Sequence, residues 1–357
     1  MRYRVCVLGA TGLVGQRMVS LLARHPWFDP EILMASPESA GKKYRDAVKW
    51  VIDEVLPDDI GDMKIVKVDV DIISREKPDL VFSALPSSIA VEVELELVKR
   101  GFVVVSNASP MRMDPYVPVL NPEVNADHLE IARLQKSKYG WKGILVKVPN
   151  CTTAILTLVL KPIMDNYGLK KVIVSTMQAL SGAGYSGVPS VAILDNVIPY
   201  IKGEEEKVES ETLKILGKFE KDKIQYADIR VSASCHRVMV LDGHLEAVFI
   251  ETVEKPDLDS LKKVLKEFKE NKIKDLNLPT APKNPIIVRD EPDRPQPRLD
   301  RNEGKGMSVV VGRIREDKVF NGVKFVVLGH NTIRGAAGTA ILIGELLVSQ
   351  NYIGVLQ

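Results

Sequence analysis

A short apolar strand that runs straight into a glycine-patterned turn and then into a helix leaves a chain few folds to choose from, and this sequence begins with one. Tyr3 to Leu8 reads as the strand, Gly9-Ala10-Thr11-Gly12-Leu13-Val14-Gly15 as the turn, and the following residues as a helix with Leu13, Val14, Met18, Leu21 and Leu22 on one face and Arg17 and Arg24 off it. Glycines in that context let a pyrophosphate reach the helix N-terminus. The spacing is G-x-x-G-x-x-G, not the commoner G-x-G-x-x-G, and glycines also mark plain tight turns. The flanking strand and helix favour dinucleotide binding, with Gly9, Thr11, Gly12, Leu13 and Val14 as contacts.

The next strand, Glu31 to Ala35, should end near the adenosine ribose. An acidic residue usually holds the 2′-hydroxyl of NAD there, whereas Ser36, Ser39 and Lys42 suit a 2′-phosphate, so NADP is expected, with Glu38 as the counter-indication. Leu80 to Leu85, carrying the cofactor-contact candidate Ser83, and Phe102 to Ser106 read as buried parallel strands, with helical Ile89 to Arg100 between them. The alternation predicts an α/β fold: a doubly wound, Rossmann-type dinucleotide-binding domain.

The second informative stretch is Val148-Pro149-Asn150-Cys151-Thr152-Thr153. It joins an extended apolar run, Ile144 to Val148, to one from Ala154 to Met164 that is too long for an ordinary strand and reads as a buried helix. Cys151 then sits at a helix N-terminus, where unpartnered N–H groups and the dipole favour a thiolate and should lower the thiol pKa. It is a candidate nucleophile; Cys6 and Cys235 read as structural.

At 357 residues the chain suits two domains, and 45% apolar content suits a soluble globular protein. The net charge of +2 arises without a long single-sign block, which points away from nucleic acid. Three cysteines without Cys-x-x-Cys spacing argue against a disulfide framework or a structural metal site. No apolar run approaches a membrane span and no signal-type segment opens the chain, so a cytoplasmic protein acting on a small molecule is expected.

Asn107-Ala108-Ser109-Pro110-Met111-Arg112 follows the carboxyl end of a parallel strand, where Arg112 could clamp a phosphate or carboxylate or simply be a surface arginine. The strand Val172 to Leu180 carries Gln178 near its end and leads into Ser181-Gly182-Ala183-Gly184, where glycines permit close approach by a nicotinamide or substrate, as they would in a mobile loop. Glu204 to Gly217 is a charged amphipathic helix whose acidic face reads by default as solvent cover. Asp242-Gly243 signals a two-residue hairpin. Pairing Leu241 with His244 would put Val238, Val240, Leu245, Ala247 and Phe249 on a core face, and Arg237, Leu241, His244 and Glu246 on the other. Arg237 and His244 can then point into one cleft, although a lone strand histidine is more often structural. Pro279 to Asp300 reads as a long irregular excursion, possible as an intersubunit arm, and Asn331-Thr332-Ile333-Arg334-Gly335 opens an apolar helix to about Val348.

Taken together, GATGLVG, SNASPMRMDP, PNCTT, QALSGAGYSGVPS, HRVMVLDGH and NTIRGAAG resemble the aspartate-β-semialdehyde dehydrogenase family, in its archaeal and fungal branch, over essentially the whole chain and in order. The resemblance implies NADPH-dependent reduction of L-aspartyl-4-phosphate to the semialdehyde and phosphate, on the route to lysine, threonine and methionine. It implies Cys151 as nucleophile, His244 as acid/base and Gln178 as a residue positioning the acyl group. Arg237 is matched to the substrate carboxylate, Arg112 and Lys207 to phosphate, and Glu204 to the substrate amine, with Glu205 and Glu206 as alternatives. Ser181, Gly182, Asn331 and Gly335 join the cofactor contacts. The family fold is a dinucleotide-binding domain completed by the C-terminal helix, here 1–150 plus 331–357, and an α+β catalytic domain, here 151–330, whose sheet forms the interface of a homodimer or dimer of dimers. The alternative on this scaffold is a malonyl-CoA or succinyl-CoA reductase, against which the intact Asn150-Cys151-Thr152-Thr153 argues.

Overall fold

Val5 and Cys6, Leu80 and Val81, Val103 and Val104, and Leu145 and Val146 are all but fully buried, neighbours that point to opposite faces, as strands covered on both faces require. They belong to a six-stranded parallel sheet: β1 (Tyr3–Leu8), β2 (Phe28–Ala35), β3 (Val66–Lys67), β4 (Leu80–Ser83), β5 (Val103–Ser106) and β6 (Ile144–Lys147), in the order β3-β2-β1-β4-β5-β6. The computed structural model describes residues 2–268, 273 and 275–353, so the last four residues of the 331–357 segment lie outside the described residues. Strand order reverses between β1 and β4, and ligands of doubly wound sheets bind at the carboxyl edge of such a switch point. Gly9, at φ +76°, lies there so close to β4's exit that an added Cβ would stand 2.6 Å from the Ala84 carbonyl oxygen.

The helix α1 (Leu13–Leu22) follows, with Met18, Val19 and Leu22 in the core. Arg17, expected off the buried face, is itself 3% exposed and pairs with Glu54 at 2.7 Å, a distant acidic partner that periodicity cannot reveal. The helix α2 (Ser87–Arg100) returns the chain to β5. Its buried Glu94 accepts from Ser83 Oγ (2.7 Å) and Ser106 Oγ (2.6 Å) and pairs with Lys147 Nζ, tying together the ends of β4, β5 and β6.

The helix α3 (Cys151–Tyr167) continues past Pro162, further than the apolar run suggests. Its Ile155, Leu156, Val159 and Ile163 pack on the second sheet, which is mixed and ordered β10-β7-β11-β14-β13-β12. The strands are β7 (Leu169–Gln178), β10 (Arg230–Arg237), β11 (His244–Thr252), β12 (Ile286–Val288), β13 (Val309–Glu316) and β14 (Gly322–Gly329); β8 (Lys218–Glu220) and β9 (Lys223–Gln225) form a separate ribbon. Between β7 and β10 runs the helix α4 (Glu204–Ile215). The Pro279–Asp300 excursion is less irregular than expected, because β12 lies within it, parallel to β13. The helix α5 (Gly338–Ser349) packs back into the core of the first sheet through Ala340, Ile341, Ile343 and Leu347. Among the described residues no helix is long and apolar enough to cross a membrane.

The Asp242-Gly243 hairpin does not form. β10 and β11 both pair with β7, which lies between them, β10 parallel and β11 antiparallel. The connection arches over the end of β7, where Leu180 N donates to Val240 O (2.8 Å) and Ser181 N to Leu241 O (3.2 Å). Gly243 adopts φ +101° in that arch, so the Asp-Gly pair reports a positive-φ requirement and not strand adjacency. The expected faces are likewise exchanged. His244, Glu246, Val248 and Ile250 are buried, while Leu245, Ala247 and Phe249 are half-buried. The face bearing the histidine is the one covered by α3.

Candidate active site

Asn150 precedes α3 in an extended conformation, and its Oδ1 accepts from the N–H groups of Thr152 (3.0 Å) and Thr153 (3.2 Å). Such a cap contributes about 1 kcal/mol, and here it also fixes where the next side chain points. Cys151 Sγ lies 3.3 Å from His244 Nε2. The register brings the partners to one end of the second sheet, where Arg237 pairs with Gln178 and His244 begins the strand on β7's other side. Beyond Gln178, the backbone of Ala179 holds two of them at once: its N–H donates to His244 Nδ1 (3.1 Å) and its carbonyl accepts from Arg237 Nη1 (2.6 Å). Since Nδ1 accepts, the neutral imidazole carries its proton on Nε2, facing the sulfur. Gln178 Nε2 donates to Thr152 Oγ1 at 2.9 Å, on the first turn of α3.

α4 supplies the opposite wall. Glu204 Oε1 accepts from Asn150 Nδ2 (2.9 Å), and Lys207 Nζ stands 3.7 Å from Glu204. Glu211, seven residues on, accepts from Arg112 Nη1 (2.9 Å) with one oxygen and from the Asn150 N–H (2.6 Å) with the other. The acidic face of this helix is thus in part buried site, with Glu204 7% and Glu211 2% exposed, and not solvent cover. Arg112, 7% exposed, is no surface arginine.

Electrostatics here run against the expectation of an acidic thiol. Burial pushes the Cys151 thiol up to about 12 and the Glu204 charge pushes the same way, opposed by the Thr152 N–H, Arg237 and Arg112. Burial, then the positive charge of Arg237, pushes His244 down to about 3. The helix terminus is present as read, but desolvation outweighs it. A prediction follows for Glu204→Gln: removing that carboxylate favours the thiolate, so the midpoint of iodoacetamide alkylation against pH should move to lower pH than in the wild type. An unmoved or higher midpoint would refute the assignment of Glu204 as a charge acting on the thiol.

The groups around the switch point fit a dinucleotide. α1 has Gly12 as N-cap and no side-chain cap, which leaves its first N–H groups available to a pyrophosphate. Close contacts exclude side chains at two further places: a Cβ on Gly15 would lie 2.1 Å from Gly9 O, and one on Gly335 2.6 Å from the Cys151 Cβ. Asn331 Nδ2 donates to Ser181 Oγ (2.8 Å) and its Oδ1 accepts from Gly243 N (2.8 Å), joining the chain's last segment to the β7 loop. Gly182 lies beside Arg237 and His244. Ser36, Ser39 and Lys42 follow β2 at the surface, and Glu38 is engaged by Ser36. Ser83 stands apart from the others: its side chain is fully buried against Glu94, so its hydroxyl is not offered to a ligand.

Two family models match the chain, the semialdehyde dehydrogenase NAD binding domain over residues 4–132 and the semialdehyde dehydrogenase dimerisation domain over residues 160–334. The chain belongs to the semialdehyde dehydrogenase family. Within the family, it is 54% identical to the aspartate-semialdehyde dehydrogenase of Archaeoglobus fulgidus over 99% of this chain and 100% of that protein. The aspartate semialdehyde dehydrogenase of Candida albicans, solved with NADP, is 41% identical and superposes with a TM-score of 0.89, covering 99% of this chain and 100% of the other. Enzyme II of Vibrio cholerae, solved with ASA, is 26% identical with a TM-score of 0.78, covering 98% of each chain. These relatives agree with the resemblance read from the motifs and do not favour the CoA-reductase alternative.

Sequence reasoning missed Asn150, Thr152, Ala179 and Glu211 as parts of the site. Asn150 was legible as a helix cap. Glu211 shares the α4 face of Glu204 at i+7, a signal that loses force when the helix is read as solvent-facing. Ala179 acts only through its backbone, and no side-chain pattern reports that.

Proposed function

We propose that this protein reduces L-aspartyl-4-phosphate to L-aspartate 4-semialdehyde and phosphate with NADPH, through a thioester on Cys151. The observation that carries the reading is the Cys151 Sγ to His244 Nε2 approach of 3.3 Å at the start of α3, with Arg237, Glu204 and Arg112 around it. Arg237 would hold the substrate's α-carboxylate, Glu204 its ammonium, and Arg112 with Lys207 the phosphate. An ammonium beside Glu204 neutralises one of the charges that hold the thiol up, so substrate itself would assist ionisation of Cys151. The thiol gives up its proton to solvent, the thiolate adds to the acyl carbon, the C–O bond to phosphate breaks, and phosphate leaves with the bonding pair. The Nε2–H of His244 is available to the oxygen that gains charge as sulfur adds, and again as the thioester is reduced. Bound NADPH would supply the hydride. The α1 N-terminus would hold its pyrophosphate, Ser36, Ser39 and Lys42 its 2′-phosphate, and Ser181, Gly182, Asn331 and Gly335 would border its nicotinamide.

The division into 1–150 with 331–357 and 151–330 is supported by the two sheets and by the return of α5 to the first core. A homodimer is supported by the half-buried apolar residues Leu245, Ala247 and Phe249 on the sheet face away from α3, with Ile173 43% exposed beside Phe249. The deciding assay is NADP reduction driven by aspartate semialdehyde, with and without inorganic phosphate. Activity that requires phosphate is expected. Folded protein that is inactive with phosphate but active with coenzyme A would replace this reading by an acyl-CoA reductase.

A further inference from the structure

We propose that Glu211 and Lys214 on α4 are positioning residues that fix the phosphate-binding arginine relative to the nucleophile. This rests on the assignment of Arg112 to the phosphate. A single carboxylate spans the two halves of the site: Glu211 Oε1 receives Arg112 Nη1 at 2.9 Å, while Oε2 receives the backbone N–H of Asn150, the residue before Cys151, at 2.6 Å. Lys214, one turn on and fully buried, donates to the carbonyls of Arg112 (2.6 Å), Asp114 (2.7 Å) and Val117 (2.8 Å). All three ammonium donors are therefore used on one loop. That loop needs restraint, because Met111 sits at φ +65°, a conformation non-glycine residues rarely adopt. Arg112 Nη2 donates to the Asn107 carbonyl at 2.7 Å, which completes its fixed pose. Both the backbone and the guanidinium of Arg112 are thus referenced to α4, and through Glu211 to the start of α3. The separation between bound phosphate and sulfur is then set by a helix and not by the loop, as a reaction requiring close alignment demands.

The test uses Glu211→Gln in the full-length enzyme, assayed in the oxidative direction with inorganic phosphate as the varied ligand. In glutamine one of the two carboxylate oxygens becomes an NH2 donor, which would face either the Arg112 guanidinium or the Asn150 N–H where an acceptor now stands. We expect KM for phosphate to rise roughly 10- to 100-fold, the scale of a lost hydrogen bond to a charged group, with a smaller change in KM for the semialdehyde and none in NADP affinity by fluorescence titration. A phosphate KM within about twofold of wild type, or a parallel loss of every parameter including NADP binding, overturns the proposal. If Glu211→Gln does not fold, Glu211→Asp, which keeps the charge but is too short to bridge both partners, carries the same expected outcome and the same refutation. Wild-type activity that needs no phosphate would instead remove the Arg112 assignment beneath it.

Discussion

Cys151→Ser is expected to lower phosphate-dependent turnover on the order of 10⁶-fold, the scale seen when a covalent nucleophile is removed, while leaving the fold and NADP affinity unchanged. The substitution is close to isosteric at a site on the first turn of α3, and the cap that starts the helix comes from Asn150, not from Cys151. What changes is the nucleophile. A serine hydroxyl at this position needs a base to remove its proton, and the neighbouring imidazole cannot act as one as it is held. Its Nδ1 is occupied by the Ala179 N–H and its Nε2 carries the proton. A thiol needs less help, since thiolates are accessible at far lower pH than alkoxides and the Thr152 N–H, Arg237 and Arg112 all favour the anion. Measuring turnover beside a thermal melt and an NADP titration separates loss of chemistry from loss of fold. A folded serine variant that retains a few per cent of turnover would remove Cys151 from the mechanism.

The parts of this molecule that were legible in the sequence are those encoded locally. The β1–turn–α1 unit, the buried strands β4 and β5, and the helix behind Cys151 each announce themselves within a dozen residues, by apolar period, glycine spacing or an N-terminal turn. The errors arose where a local signal has two physical causes. Asp242-Gly243 satisfies a tight hairpin and a wide arch equally well, because both need a positive φ at the glycine, and only the insertion of β7 between β10 and β11 decides. The Glu204–Ile215 helix looks solvated because its partners, Arg112 and Asn150, come from distant loops. At the thiol, the helix position that favours the anion is opposed by burial and by the Glu204 charge, neither of which a local pattern reports.

His244→Asn is expected to slow turnover by about 10²- to 10⁴-fold, the usual worth of a positioned proton donor or acceptor, with NADP affinity unchanged. Asparagine suits the test because its Oδ1 can accept from the Ala179 N–H in place of Nδ1, so the loop that also orients Arg237 stays anchored while the Nε2–H facing the sulfur is lost. The imidazole's depressed pKa gives the variant a second signature. With the folded value at about 3 against an ordinary 6.5, acidification through that window protonates His244 in the unfolded chain but not in the native one. Native stability therefore falls as pH drops from about 6.5 towards 3. Asparagine does not titrate, so that share of the loss disappears: relative to wild type, the melting temperature of His244→Asn should rise as the pH is lowered. Turnover within about twofold of wild type would show that the proton on Nε2 is not used. A melting-temperature difference that stays constant between pH 7 and pH 5 would show that the imidazole is not held neutral by burial and by Arg237.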